Sequence, residues 1–413
     1  MNEKEKTLLT PEEQERRHQV AEQRRRKARA ERARKKRRAK KIKLAIGIVF
    51  VTLLTAAAVF IITRYVLPDA GKDARQPKTS PSEEQTSTET TQTPTTAPEP
   101  THDYPELKSK NGTFSTYSSG AIRVDNAAFS VCGTLSDSVT SKYAALVSEV
   151  ADSLNGKTKV YSLIIPTSYG VTLPDDIKPQ IANYADQGEN IAKVFSKMSE
   201  NVTPVYCYDD LMTHRDEYLY FRTDHHWNGK GAYYAYEAFC RTKGIEPFTL
   251  EKREKKEFDG FLGTMYQNNG KDENLLPADT VEAFLPVSAN AAMKFTNTDG
   301  TTYDWPIVKD VSEWSSGAKY NTFAGSDNPI TEFTNPDVAD GSVLIVVKES
   351  FGNALLPCLV DHYSKIYEID YRYWKGNLVS FAEEVGADDL LFANNIMMTS
   401  TSLLVGNLSK IIK

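Results

Sequence analysis

The stretch that decides the fold runs from Ser342 to Ile369. It opens with SVLIVV (Ser342–Val347), passes through Lys348-Glu349-Ser350, continues as a helical pattern over Phe351–Tyr363, and closes with KIYEI (Lys365–Ile369). SVLIVV is apolar on consecutive positions and rich in β-branched residues, as expected for a strand buried on both faces. A strand, a helix and a second strand in this order form a parallel β-α-β unit. The same alternation extends outward in both directions. VYSLII (Val160–Ile165) reads as a strand ending at Pro166, Ile177–Met198 has helical periodicity with loop-like interruptions, and VTPVYCY (Val202–Tyr208) is a second strand. GKGAYYAYEAFCRT (Gly229–Thr242) reads as a helix capped by Asn228 and stopped by Gly244. Asn377–Val385 is helical and DLLFA (Asp389–Ala393) is a strand. The expectation is an α/β domain with a mostly parallel sheet covered on both faces. Residues 258–335 break the pattern. They are rich in Gly, Asn, Asp and Thr with short apolar runs, and read as an inserted loop-rich or small β region. No internal repeat is present.

The rest of the 413-residue chain is organised differently. Residues 1–43 hold 18 Lys/Arg against 7 Glu, a surplus of +11, although the whole chain carries −5. Leu44–Thr63 (LAIGIVFVTLLTAAAVFIIT) is 20 residues without a charge, the length a membrane-spanning helix needs. The positive residues before it favour a cytoplasmic N-terminus and an extracytoplasmic C-terminal domain at the cell membrane. Its length and long basic lead favour an uncleaved anchor, with signal cleavage as the alternative. The arm at 1–43 reads as a solvated, partly helical tail that also contacts anionic lipid. Residues 64–101 form a Thr/Ser/Pro-rich stalk too polar to order itself. The folded domain occupies 102–413. This layout excludes a uniform soluble globule. Four cysteines (Cys132, Cys207, Cys240, Cys358) are too few for a disulfide scaffold, and either disulfides or buried thiols suit them. No phosphate loop, dinucleotide glycine pattern or basic aromatic patch occurs in the folded part, so neither a cofactor nor a nucleic acid is expected.

Two places carry chemistry. In Phe221-Arg-Thr-Asp-His-His-Trp227, Asp224 and His226 stand two apart, which in extended backbone puts them on one side. A carboxylate there holds an imidazole in the tautomer a general base needs. His225 then points the other way, into packing; a tight turn would make it the base instead. Trp227 reads as a packing anchor, and Arg222 either pairs with a local carboxylate or faces the cleft. The second place is Ser350, between a strand and a helix start. Sites in open parallel sheets lie beyond the carboxyl ends of strands, and the N–H groups of Ser350 and Gly352 are expected to be free for an oxyanion. A plain helix N-cap is the competing reading of Ser350; Asp224 and His226 turn it into a nucleophile with a base and an orienter.

The string TDHHWNGKGAYYAY (223–236) and the later VLIVVKESFGNALLPCLVDHYSKIYEIDYR (343–372) resemble the DHHW family, which is similar to the SGNH-hydrolase-like acetyltransferase domains of alginate O-acetylation proteins. The resemblance spans most of 155–395. It implies a three-layer, SGNH-hydrolase-like (flavodoxin-like) domain in which the Asp-x-His pair precedes the Ser. By position it makes Ser350 the nucleophile, His226 the base and Asp224 its partner. Gly352, Asn353, Arg372, Asn394, His225 and Arg222 are the supporting candidates. Wider relatives carry Gly-Asp-Ser where this chain has Lys348-Glu349-Ser350. The implied function is acyl, above all acetyl, transfer or ester hydrolysis on a cell-surface polysaccharide, with a multi-span membrane protein delivering the acyl group. The competing reading is a non-catalytic glycan-binding or assembly module of a cell-envelope polysaccharide system. A metal hydrolase using Asp224, His225, His226 and His362 ranks last, because adjacent histidines rarely ligate one ion and no spacing matches a zinc helix motif.

Overall fold

A computed structural model of the chain describes residues 103–412. The expected arm (1–43), membrane helix (44–63) and stalk (64–101) lie outside the described residues. Among the described residues no helix is long and apolar enough to cross a membrane.

The domain begins with a small antiparallel ribbon, β1 (Ser115–Thr116), β2 (Ile122–Val124) and β3 (Ala127–Phe129). Helix α1 (Asp137–Leu154) follows, burying Tyr143, Leu146, Val147, Val150, Ala151 and Leu154 on one face at three- and four-residue spacing. Then come β4 (Lys159–Ile165), α2 (Gln187–Phe195), β5 (Val202–Val205), α3 (Tyr208–Thr213) and α4 (Gly229–Lys243). Helix α4 matches the sequence expectation at both ends. Asn228 Oδ1 accepts from the Lys230 and Gly231 N–H groups, and Gly244 closes the helix in the left-handed region at φ 77°. The next strands are β6 (Lys255–Phe261), β7 (Asp279–Phe284), β8 (Ala292–Thr296), β9 (Thr302–Trp305) and β10 (Ile330–Thr334). The chain ends with β11 (Val343–Lys348), α5 (Leu356–Leu359), β12 (Lys365–Asp370), α6 (Leu378–Val385), β13 (Asp389–Asn395) and α7 (Ser402–Ile412).

The main sheet has the order β5-β4-β13-β11-β12-β10-β8-β9, and the first five strands are mutually parallel. Counted cyclically from β11, those five run 2-1-3-4-5, the flavodoxin-like doubly wound order. The chain enters that order at its fourth strand. The segment after β5, which holds Asp224 and His226, therefore precedes Ser350, which follows β11. β4, β11 and β13 are buried on almost every residue, so both sheet faces are covered. The helices pack in two groups, α1 with α2, α6 and α7, and α3 with α4 and α5.

Four expectations are corrected. Of the two readings of residues 258–335, loop-rich or small β, the strands favour the β one, but the region is not separate: β8, β9 and β10 extend the main sheet antiparallel from the edge of β12, and only β6 and β7 form a ribbon of their own. No continuous helix covers Phe351–Tyr363. The segment is a 3-10 turn (Ser350–Ala354), the single turn α5, and a second 3-10 turn (Val360–His362), because Pro357 removes an N–H that a continuous helix needs. The helical pattern at Ile177–Met198 reduces to a 3-10 turn at Lys178–Gln180 and α2, and the strand expected to reach Tyr208 ends at Val205, where α3 takes over.

Candidate active site at the switch point of the sheet

β11 and β13 lie side by side where the strand order reverses, and Ser350 follows β11 there as the first residue of a 3-10 turn. Glu349 braces the junction. One of its carboxylate oxygens accepts from the Phe351 N–H at 3.1 Å and the other from the Asn395 N–H at 2.9 Å, tying the ends of the two strands together. The departure from Gly-Asp-Ser thus places a buried capping carboxylate next to Ser350. Lys348 is fully buried beneath the turn. Its ammonium lies 2.6 Å from Glu368, 3.6 Å from Asp370 and 3.5 Å from Asp327, and donates to Asn353 Oδ1. Burial opposes the Lys348 charge, but Glu368, Asp370 and Asp327 hold its pKa above the ordinary lysine value. Burial pushes Glu368 up to about 7 despite Lys348.

The Asp-His-His-Trp segment arrives from the other side. His226 Nε2 is 2.7 Å from Ser350 Oγ, and His226 Nδ1 is 2.6 Å from Asp224 Oδ1. The carboxylate only accepts, so Nδ1 carries the proton and Nε2 receives the Ser350 hydroxyl. Asp224 also accepts from the His226 N–H at 3.0 Å, the Thr264 N–H at 2.7 Å and the Thr264 hydroxyl at 2.9 Å. Gly263 permits this approach, since a Cβ there would run into the Asp224 side chain. Burial alone would raise the Asp224 carboxyl, but His226, His225 and the Thr264 N–H hold it well below the usual carboxylate range. The Tyr320 ring stacks on His226 at 4.1 Å between centroids and 8° between planes, and its hydroxyl donates to the Ser350 carbonyl at 2.9 Å. Trp227 is fully buried and donates Nε1–H to the Phe351 carbonyl at 2.9 Å, which makes it the packing anchor expected. Ser350 remains half-buried, so a substrate reaches it.

The segment carrying Asp224 and His226 is bent, not extended. Asp224 meets His226 through a local turn, and the His225 ring does not point away from His226: their centroids are 3.8 Å apart. His225 Nδ1 pairs with Thr264 Oγ1 at 2.6 Å. Because that hydroxyl already spends its proton on Asp224, His225 Nδ1 donates and its Nε2 is left as an acceptor. Burial, with His226 adding to it, pushes the His225 pKa down to about 4.

The other supporting candidates take structural places. The Gly352 N–H bonds the Glu349 carbonyl at 2.9 Å and is not free for an oxyanion; the glycine is required because a Cβ would come within 2.5 Å of the Lys348 Cβ. Ser350 N–H, first in its turn, has no acceptor within that turn. Asn353 is spent between Lys348 and Asp327, to which it donates at 3.1 Å. Arg372 makes a two-pronged pair with Asp370 at 2.9 and 2.6 Å and reaches Asp327 at 3.0 Å. Asn394 is buried inside the sheet between Tyr143 and the Ala393 carbonyl. Arg222 pairs with Asp279 at 3.1 Å, the local-carboxylate alternative. All four cysteines are buried free thiols. Asp224, His225 and His226 bring ligand-type atoms within 4.8 Å of one another, yet both His226 nitrogens and His225 Nδ1 are committed, leaving one outward nitrogen for an ion. Thr264, Tyr320 and Glu349 were not singled out by the sequence as site residues. Only Glu349, as the neighbour of Ser350, carried any local signal.

No curated protein matches the chain. Among solved structures, a DHHW family protein from Eubacterium siraeum is 26% identical, with a TM-score of 0.64 over 71% of this chain and 95% of that one. Bacillus cereus PatB1 shares the fold at 16% identity and a TM-score of 0.57, over 71% of this chain and 98% of its own. The same protein with a sulfonyl adduct gives 15% and 0.56, over 71% and 97%. The family model for DHHW protein matches residues 106–369, more than half of the sequence, and the chain belongs to the DHHW family.

Proposed function

We propose that this domain is an SGNH-like acyl transferase or esterase, acting with acetyl groups on a cell-surface polysaccharide. The observation that carries the reading is the unbroken hydrogen-bonded line from Asp224 through His226 to the half-exposed Ser350. Ser350 Oγ gives its proton to His226 Nε2 and attacks the donor's acyl carbonyl. The imidazolium forms with its Nδ1–H held on ionised Asp224, and the Ser350 N–H, unclaimed within its turn, is the donor offered to the developing oxyanion. His226 then returns the proton to the leaving oxygen, the donor's ester bond breaks, and the acyl group stays on Ser350. In the second half His226 takes the proton of a sugar hydroxyl or of water, that oxygen attacks the acyl carbonyl, and the proton goes back to Ser350 Oγ as it leaves. Acetyl as the acyl group, and a glycan as acceptor, rest on the sequence resemblance to alginate O-acetylation domains. The expected membrane anchor places the domain at the outer face, where a multi-span partner supplies the donor, and the basic arm meets anionic lipid inside.

The test uses the full-length chain in detergent with an aryl acetate. Turnover should fall by at least about 10³-fold in both Ser350→Ala and His226→Ala. Equal rates in all three proteins would leave a glycan-binding or assembly module in its place.

A further inference from the structure

Two neighbouring cavities open beside the site, of about 270 and 380 Å³. They share Ser130 and Met397 in their walls, so the cleft is a pair of adjoining pockets. The first is lined by His225, whose ring lies 3.8 Å from that of His226, and by Phe351, the residue after Ser350, while Thr264 lines the second. No Asp, Glu, Lys or Arg lines either one. The polar groups there are hydroxyls, amides and one imidazole. Asn395 spends its Oδ1 on the Met397 and Met398 N–H groups, and its NH2 makes no hydrogen bond to another described residue. His225 contributes an Nε2 acceptor, because its Nδ1 donates to Thr264. Met397, Met398 and Leu404 supply apolar wall.

Resting on the acyl-transfer reading, we propose that this cleft is the acceptor site and that the acceptor is an uncharged glycan. Sugar rings present hydroxyls at their rims and C–H groups on their faces, which match amide, imidazole and hydroxyl partners alternating with methionine and leucine. A uronate or phosphate would lose its water in this cleft without meeting a cation. The charge of the folded part points the same way. Residues 102–413 hold 28 Lys/Arg against 42 Asp/Glu, a net of −14, which repels a polyanion before it arrives. His225 Nε2 is the positioning acceptor for one sugar hydroxyl, while His226 keeps the proton-transfer role.

The experiment titrates the full-length chain in detergent with neutral tetrasaccharides (gluco-, galacto-, manno- and N-acetylgluco-configured) and with oligogalacturonate and oligomannuronate of equal length. Binding is read by calorimetry. At least one neutral tetramer should bind tenfold or more tighter than either uronate. Ser130→Trp, at a residue lining both cavities, and Thr401→Trp, at a residue lining the first, should each weaken that binding at least tenfold while circular dichroism shows an intact fold. The proposal is overturned by a uronate binding as tightly as the best neutral sugar, by no neutral sugar binding, or by both tryptophan variants binding like the parent. Acetylation of Ser350 by aryl acetate, followed by peptide mass, separates the two readings. Acetyl on Ser350 with no neutral binding removes only the acceptor proposal, and neutral binding with no acetyl removes only the acyl-transfer reading.

Discussion

Replacing Asp224 by Asn tests the orienting role of the carboxylate more sharply than deleting it. Asp224 accepts four hydrogen bonds, two per oxygen: the His226 N–H and Nδ1–H on Oδ1, and the Thr264 N–H and hydroxyl on Oδ2. Each side has one fixed backbone donor and one adaptable partner. An Asn amide satisfies only one side. With its oxygen toward Thr264, its NH2 faces His226 and forces the tautomer with Nδ1 bare and Nε2 protonated. That imidazole donates to Ser350 instead of taking its proton. With its oxygen toward His226, the NH2 faces the Thr264 N–H. Either way one backbone donor is left unpaired, at about 1–3 kcal/mol of stability. The wrong tautomer costs about 10⁴ in rate, about 5 kcal/mol of barrier. We expect Asp224→Asn to acylate about 10² to 10⁴ times more slowly in stopped-flow release of an aryl leaving group, with the fold retained. A rate within threefold of the parent would refute the orienting role.

Three further outcomes follow from the same geometry. Lys348→Ala should destabilise the domain by about 3–5 kcal/mol in denaturant titration, because it leaves Glu368 in the interior without its cation, whereas Asp370 keeps Arg372; a loss under about 1 kcal/mol would contradict this. Tyr320→Phe removes only the hydrogen bond to the Ser350 carbonyl, worth about 1 kcal/mol, and should slow acylation by less than about tenfold, whereas Tyr320→Ala also removes the ring under His226 and should slow it further; equal rates in the two variants would contradict the stacking role. His225 sits at about 4 in the fold against an ordinary 6.5, so the unfolded chain binds more protons between those values. Its share of stability is complete above about pH 6.5 and is lost on acidification toward pH 4. Thermal midpoints of His225→Asn should therefore fall less steeply across that window than those of the parent, and parallel profiles would count against a neutral His225.

The parallel strands and α4 were legible because their signals are local: consecutive β-branched residues, an Asn cap, a terminating Gly. Asp224, His226 and Ser350 were legible because short motifs carry them. What brings the two motifs together was not. Strand order is set by pairing between distant segments, so the antiparallel extension β8–β10 read as an inserted loop-rich or small β region instead of part of the main sheet. Thr264 lies 40 residues beyond Asp224 and Tyr320 lies 30 before Ser350, and neither stands in a recognisable pattern. Gly352 suggested an open oxyanion donor, but its N–H closes the 3-10 turn and its bare Cα makes room for Lys348. Arg372 and Asn353 were supporting candidates, yet the buried charges of Lys348, Asp370 and Asp327 claim both. Helix α1 went unread although Asn155-Gly156 closes it in the left-handed region, a stop signal of the kind Gly244 gives α4; at its start the Ser136 side chain makes no capping bond.

The central claim is that Ser350 is a nucleophile activated by His226, and covalent labelling tests it most directly. The full-length chain in detergent is treated with an aryl acetate and, separately, with a sulfonyl fluoride, then digested and mapped by peptide mass. The account predicts one adduct, on Ser350, formed at least about 10³ times more slowly in His226→Ala. An adduct on another residue, or labelling of Ser350 that does not depend on His226, would contradict it.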